Sequence, residues 1–116
     1  MNKAIWILFD FGLKGDYKSL YTWLDNYGAI ECGQNMAFLK YPSDNVNSES
    51  STSIYENVKK DFTDEVKLSK NDRVYLIYKD ELSSKMKGKW LNGNRKAAPW
   101  EGYGKLESQQ TEDEGE

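Results

Sequence analysis

The chain contains no histidine and only one cysteine among its 116 residues. Without histidine there are no imidazole-ligated metals and no triad built on a histidine base. The lone Cys32 excludes an intrachain disulfide. It has no basic neighbour to activate it, so it reads as a small strand residue rather than a nucleophile. Long apolar runs are also missing. The longest, Ala4 to Phe11, is interrupted by Asp10 and is far too short to span a bilayer. The first residues lack the basic, apolar and small-residue succession of a secretory signal, so a cytoplasmic protein with no membrane association is expected. Nor is there an excess of positive charge. Sixteen Lys and Arg stand against 19 Asp and Glu, and the net charge of −3 gives no global attraction to nucleic acid.

Aromatic residues, in contrast, are plentiful: 4 Trp, 8 Tyr and 4 Phe make up 14% of the chain. Each buried ring removes roughly 150–250 Å² from water, so this content argues for a real core. The length allows one domain, and a chain of this size folds without staples.

Lys3 to Phe11 reads as a strand, with Ile5, Ile7, Phe9 and Phe11 on one face and Ala4, Trp6, Leu8 and Asp10 on the other. Two mainly apolar faces place it inside a sheet. Asp16 is a plausible N-cap for a helix to Tyr27, in which Tyr17, Leu20, Tyr21, Leu24 and Tyr27 share one face, and Gly28 ends it. Short strands follow at Ala29 to Cys32 and Met36 to Tyr41. The polar run Ser43 to Ser53 reads as a mobile loop. Ser53-Ile-Tyr-Glu56 has capping-box form and opens a helix to about Leu68, with Ile54, Val58, Phe62 and either Glu65 or Val66 inward. Arg73 to Tyr78 is the next strand. This order predicts an α+β fold of the ferredoxin-like βαββαβ type, a four-stranded antiparallel sheet with both helices on one face. Residues 1–80 form that core. Residues 81–105 are a C-terminal extension that supplies a swapped or added strand near Lys89 to Asn92, and residues 106–116 are an acidic tail expected to be disordered.

The run from Ile7 to Tyr17, Ile-Leu-Phe-Asp-Phe-Gly-Leu-Lys-Gly-Asp-Tyr, followed by Leu20-Tyr21 and Tyr27-Gly28-Ala29, resembles the small Cas2-like proteins, most closely their SinR-like branch. The likeness covers about the first third of the chain. It implies a homodimer and an Asp, here Asp10, at the end of the first strand near the dimer axis. There a pair of such carboxylates can hold Mg²⁺ and support a nuclease, while other members only scaffold DNA. The Arg-rich first helix of the CRISPR-associated members is absent, and Lys18 and Asp25 stand in its place. What the resemblance implies for function is a non-enzymatic, dimeric interaction or regulatory module in prokaryotic defence or phage counter-defence. The alternatives are a metal-dependent endonuclease using paired Asp10 residues and a nucleic-acid-binding module.

The residues themselves leave several readings open. Asp10 is a candidate catalytic and metal-binding residue, or it caps the Gly12 to Gly15 loop by accepting backbone amides. Asp16 and Asp44 are the only nearby carboxylates to assist it. The Gly12 to Gly15 loop before a helix could take a phosphate on free amides, or it is simply a tight turn. Trp6 and Leu8 point to an open sheet face, and with Trp90 they are the candidate homodimer or protein-partner interface. Lys85, Lys87, Lys89, Arg95 and Lys96, interleaved with Trp90 and Trp100, are the nucleic-acid candidate.

Overall fold

The structure, a computed structural model, describes residues 2–42 and 53–104. The loop assigned to Ser43–Ser53 falls on residues outside this range except for its last, and Asp44 and the acidic tail lie outside it as well.

The elements are β1 (Asn2–Asp10), α1 (Tyr17–Asn26), β2 (Ile30–Glu31), β3 (Met36–Pro42), α2 (Ser53–Glu65), β4 (Arg73–Lys79) and β5 (Met86–Asn92). All pairings are antiparallel, and the order across the sheet is β2-β3-β1-β4-β5. The expected four-stranded sheet is thereby corrected to five strands. The fifth comes from the extension of the same chain and is added to the outer edge of β4. Without it, β4 would present a row of unpaired amides and carbonyls, which is the usual reason an edge acquires another strand. The Tyr55 hydroxyl on α2 donates to the Trp90 carbonyl at 2.7 Å, and Leu91 is buried, so β5 is tied into the body.

Strand alternation then decides what faces what. Ile5, Ile7 and Phe9 on β1 lie level with Leu39 and Ala37 on β3 and with Tyr78, Leu76 and Val74 on β4. All of these are buried, and they form one cluster with Leu20, Trp23 and Leu24 of α1 and Ile54, Val58 and Phe62 of α2. Each aliphatic side chain removed from water in this way contributes about 1.5–3 kcal/mol.

The inward face of α1 differs from expectation. Trp23 is buried, whereas Tyr21 is 56% exposed. Trp23 turns inward because it packs edge-on against Phe62 and its indole N–H reaches Asp61 of α2 at 3.4 Å. Asp61 also accepts from the hydroxyls of Tyr27 and of Tyr41, the latter at 3.0 Å. Burial, reinforced by this carboxylate, pushes the Tyr27 hydroxyl up to about 12 and raises Tyr41 as well. Of the two residues considered at the end of α2, Val66, one position past the helix, is the inward one, and Glu65 is exposed.

Asp16 caps α1 as expected, accepting from the Ser19 amide at 3.2 Å. Its other oxygen takes the Lys67 amide at 3.0 Å, which ties the end of α2 to the start of α1. The helix expected to run to Leu68 stops at Glu65, just before this tie.

Candidate functional site

The sheet face opposite the helices carries no second layer among the described residues, and its side chains fall into rows set by the register. Met36, Leu8, Tyr75 and Trp90 form one row across β3, β1, β4 and β5. Phe38, Trp6, Ile77 and Gly88 form the next. The large side chains of both rows are half-buried by their neighbours alone. Trp6 and Phe38 meet at 5.1 Å, and Tyr75 and Trp90 meet edge-on at 4.8 Å. The three candidate interface residues, Trp6, Leu8 and Trp90, therefore share one face.

Gly88 has a specific role in this face. A Cβ there would fall on the Tyr75 hydroxyl, so only glycine lets the tyrosine lie flat across β5. Beyond the Tyr75–Trp90 pair lies a row of charge. Asp10 is level with Arg73, whose guanidinium donates to Asp10 Oδ2 at 2.8 Å and to the Asn94 carbonyl at 3.4 Å. The Arg73 plane also sits 5.6 Å from the centre of the Trp90 ring. Gly93, with φ +87°, passes so close that a side chain there would strike the Arg73 stem. Arg95, just past β5, lies over both rings, 5.7 Å from Tyr75 and 5.8 Å from Trp90.

Two clefts open at this corner. One, of about 570 Å³, is walled by Leu8, Tyr75, Trp90 and Trp100 with Arg73 and Arg95 at its rim. The other, of about 450 Å³, is lined by Lys70, Arg73, Arg95 and Lys96 beside the Gly12 and Gly93 backbone. Asp10, Arg73 and Arg95 border both.

Several expectations change on this geometry. Asp10 does not cap the Gly12 loop. That role belongs to the buried Asp72, which accepts from the Gly12 amide at 2.9 Å and from the Ser69 amide at 2.9 Å. Asp10 holds a guanidinium instead. Within one chain its surroundings do not fit a Mg²⁺ site, since its close partner is a cation and no group of three or more potential ligands gathers among the described residues. Asp16, the other described carboxylate considered, is engaged by two amides. The Gly12 to Gly15 loop is held as a tight turn. The Gly12 amide goes to Asp72, Gly15 donates to the Gly12 carbonyl and Tyr17 to the Gly15 carbonyl. Cys32 is exposed.

The basic candidates do not form one stripe, because strand alternation divides them. Lys87 and Lys89 are level with Tyr78 and Leu76, on the helix side. Lys87 is 3.7 Å from the buried Asp80, and Lys89 lies over the Tyr55 ring. Lys85 sits in the β4–β5 turn. Only Arg95 and Lys96 reach the clefts, where Arg73 and Lys70 join them. The i, i+2 spacing of Arg73 and Tyr75 is the one signal in the sequence that places that pair on a common face.

Among the described residues, no helix is long and apolar enough to cross a membrane. Scans against protein-family models, curated proteins and solved structures each return no match to this chain.

Proposed function

We propose that this protein is a non-enzymatic interaction module that pairs with a second copy of itself through the open sheet face. The observation that carries this reading is the apolar platform of Trp6, Leu8, Phe38 and Ile77, which has no second layer among the described residues and continues into the Tyr75–Trp90 pair beneath Arg95. Apolar surface of this extent is seldom left in water. A second copy suits it. The two central rows carry no charge, and Arg95 over the Tyr75–Trp90 pair and Lys40 and Lys79 in the row beyond Trp6 lie at the margins, where they stay in water when the centre pairs. Its size sets the extent of the contact. Four strands about 4.8 Å apart and about seven residues long give a flat footprint of roughly 440 Å², so a standard interface of roughly 800 Å² per partner takes in the polar rim as well as the apolar rows.

The order β2-β3-β1-β4 among the first four strands supports reading residues 1–80 as a ferredoxin-like unit extended by β5. It is also compatible with the Cas2-like, SinR-like resemblance of the first third of the chain, in which such units pair. Sedimentation velocity at micromolar concentrations tests the proposal. The unmutated chain sediments as a dimer, and Trp6→Glu, which would place two carboxylates in the contact, sediments as a monomer with unchanged far-UV circular dichroism. A unmutated chain that stays monomeric at high micromolar concentration contradicts it.

A further inference from the structure

We propose that the aromatic cleft at the β4–β5 corner binds a nucleotide, with the base held against the rings and the phosphate in the adjoining basic cleft. The two halves match the two parts of such a ligand. The aromatic half offers the Tyr75–Trp90 pair as its floor and Trp100 as a wall, in a volume of about 570 Å³, within the usual range for small-molecule sites. Stacking on such rings tolerates any planar base. The basic half supplies Arg95, Lys96 and Lys70, none of which has an ion-pair partner among the described residues. Arg95 is the hinge between the halves. Its guanidinium is oriented by two ring faces rather than by a carboxylate, which leaves its forked N–H donors available to a phosphate.

Asp10 argues against a simple carboxylate ligand and adds selectivity. Arg73 occupies its Oδ2, and the rest of the carboxylate is more than half exposed on the cleft wall. A carboxylate there repels acidic side chains and confines a phosphate to the Arg95, Lys96 and Lys70 side of the basic cleft, but it accepts hydrogen bonds from an exocyclic amino group. Adenine, cytosine and guanine carry such a group, and uracil does not. The same chemistry is offered by a free nucleotide and by one residue of a single strand, and the experiment separates them.

All the side chains of the site come from one chain, but Leu8, Tyr75 and Trp90 belong to the pairing face as well, so ligand and second copy compete for this corner. The test is fluorescence anisotropy of the full chain with 5′-fluorescein-labelled hexa-adenylate and hexa-uridylate RNA. Unlabelled AMP, UMP, inorganic phosphate and duplex DNA serve as competitors, and sedimentation is run on the same samples. Saturable binding of hexa-adenylate is expected, about tenfold weaker for hexa-uridylate. Arg95→Ala and Trp100→Ala should each weaken it at least tenfold. Trp100 is 74% exposed and Arg95 is exposed, so neither change threatens the fold. Competition by AMP at concentrations comparable to the hexamer assigns the site to free nucleotides, and competition by the hexamer alone assigns it to single strands.

Absence of binding to millimolar AMP and hexamer overturns the proposal. So does binding that neither variant weakens, or binding that phosphate or duplex displaces as well as AMP or hexamer does. Binding by a chain that is monomeric before ligand is added supports the site and counts against the dimer, whereas a dimer that binds nothing does the reverse.

Discussion

The two faces of the sheet are built from the same strands and the same kinds of residue, yet they are completed differently. On the helix side, the large side chains of β1, β3 and β4 form one buried cluster with those of α1 and α2, and Asp61 accepts from Trp23, Tyr27 and Tyr41. On the open side, Trp6 meets Phe38, Leu8 lies between Met36 and Tyr75, all of them only half-buried, and the Asp10–Arg73 ion pair stands at one end. One face is covered by the two helices, and the other, the face proposed to pair, has no second layer among the described residues. Mutations on the two faces should therefore report on different quantities, stability for the first and association for the second.

The largest effect belongs to the finished face. Phe62 is fully buried against Trp23, and Phe62→Ala should cost about 3–5 kcal/mol in urea unfolding. Asp61→Ala should cost about 1–3 kcal/mol, because it leaves the Trp23, Tyr27 and Tyr41 donors without their acceptor. The same cluster gives a pH signature. Tyr27 is raised to about 12 from 10.0, so its neutral form is favoured in the folded state. The stability it contributes is complete below pH 10 and is lost as pH rises through about 12. Urea midpoints measured across that window should fall, and Tyr27→Phe should shrink the fall. Asp16 gives the opposite sign: the Lys67 and Ser19 amides hold it below the ordinary carboxylate range, so its contribution is lost as pH falls through its lowered value. Asp16→Asn should flatten that acid limb.

Changes on the open face should move stability less. In dilute samples, Trp6→Glu should cost about 1–2 kcal/mol through the lost Phe38 contact, less than the changes on the helix side, while its effect on association is large. Gly88→Ala should have the smallest thermodynamic effect, within about 1 kcal/mol. It must nevertheless displace Tyr75 from its place over β5, and the loss of the Tyr75–Trp90 contact should be visible in near-UV circular dichroism.

The parts of this organisation that were legible in the sequence are those governed by local periodicity. Alternation in β1 separates Ile5, Ile7 and Phe9 from Trp6 and Leu8, and Asp16 announces the start of α1. Where two periodic sets overlap, local pattern does not decide. Tyr21 and Trp23 each fit a helical stripe with Leu20 and Leu24, and the choice was made by Phe62 and Asp61, nearly 40 residues away. β5 was only half legible because Met86-Lys-Gly-Lys89 reads as polar, and its pairing depends on the free edge of β4. The candidate site was the least legible part. Arg95, Lys96 and Trp90 stood out by composition, but alternation carried Lys87 and Lys89 to the other side. Arg73 and Asp10 become a pair only through the antiparallel register of β1 and β4.

The most direct measurement of the contrast between the faces is the mass of the unmutated protein by sedimentation equilibrium from about 1 to 200 micromolar. A reversible rise from one chain mass to two, suppressed in Trp6→Glu and retained in a variant altered on the helix side such as Lys59→Ala, is the result this account requires. A constant mass of one chain over the whole range would contradict it, because the apolar face would then stand in water without a partner.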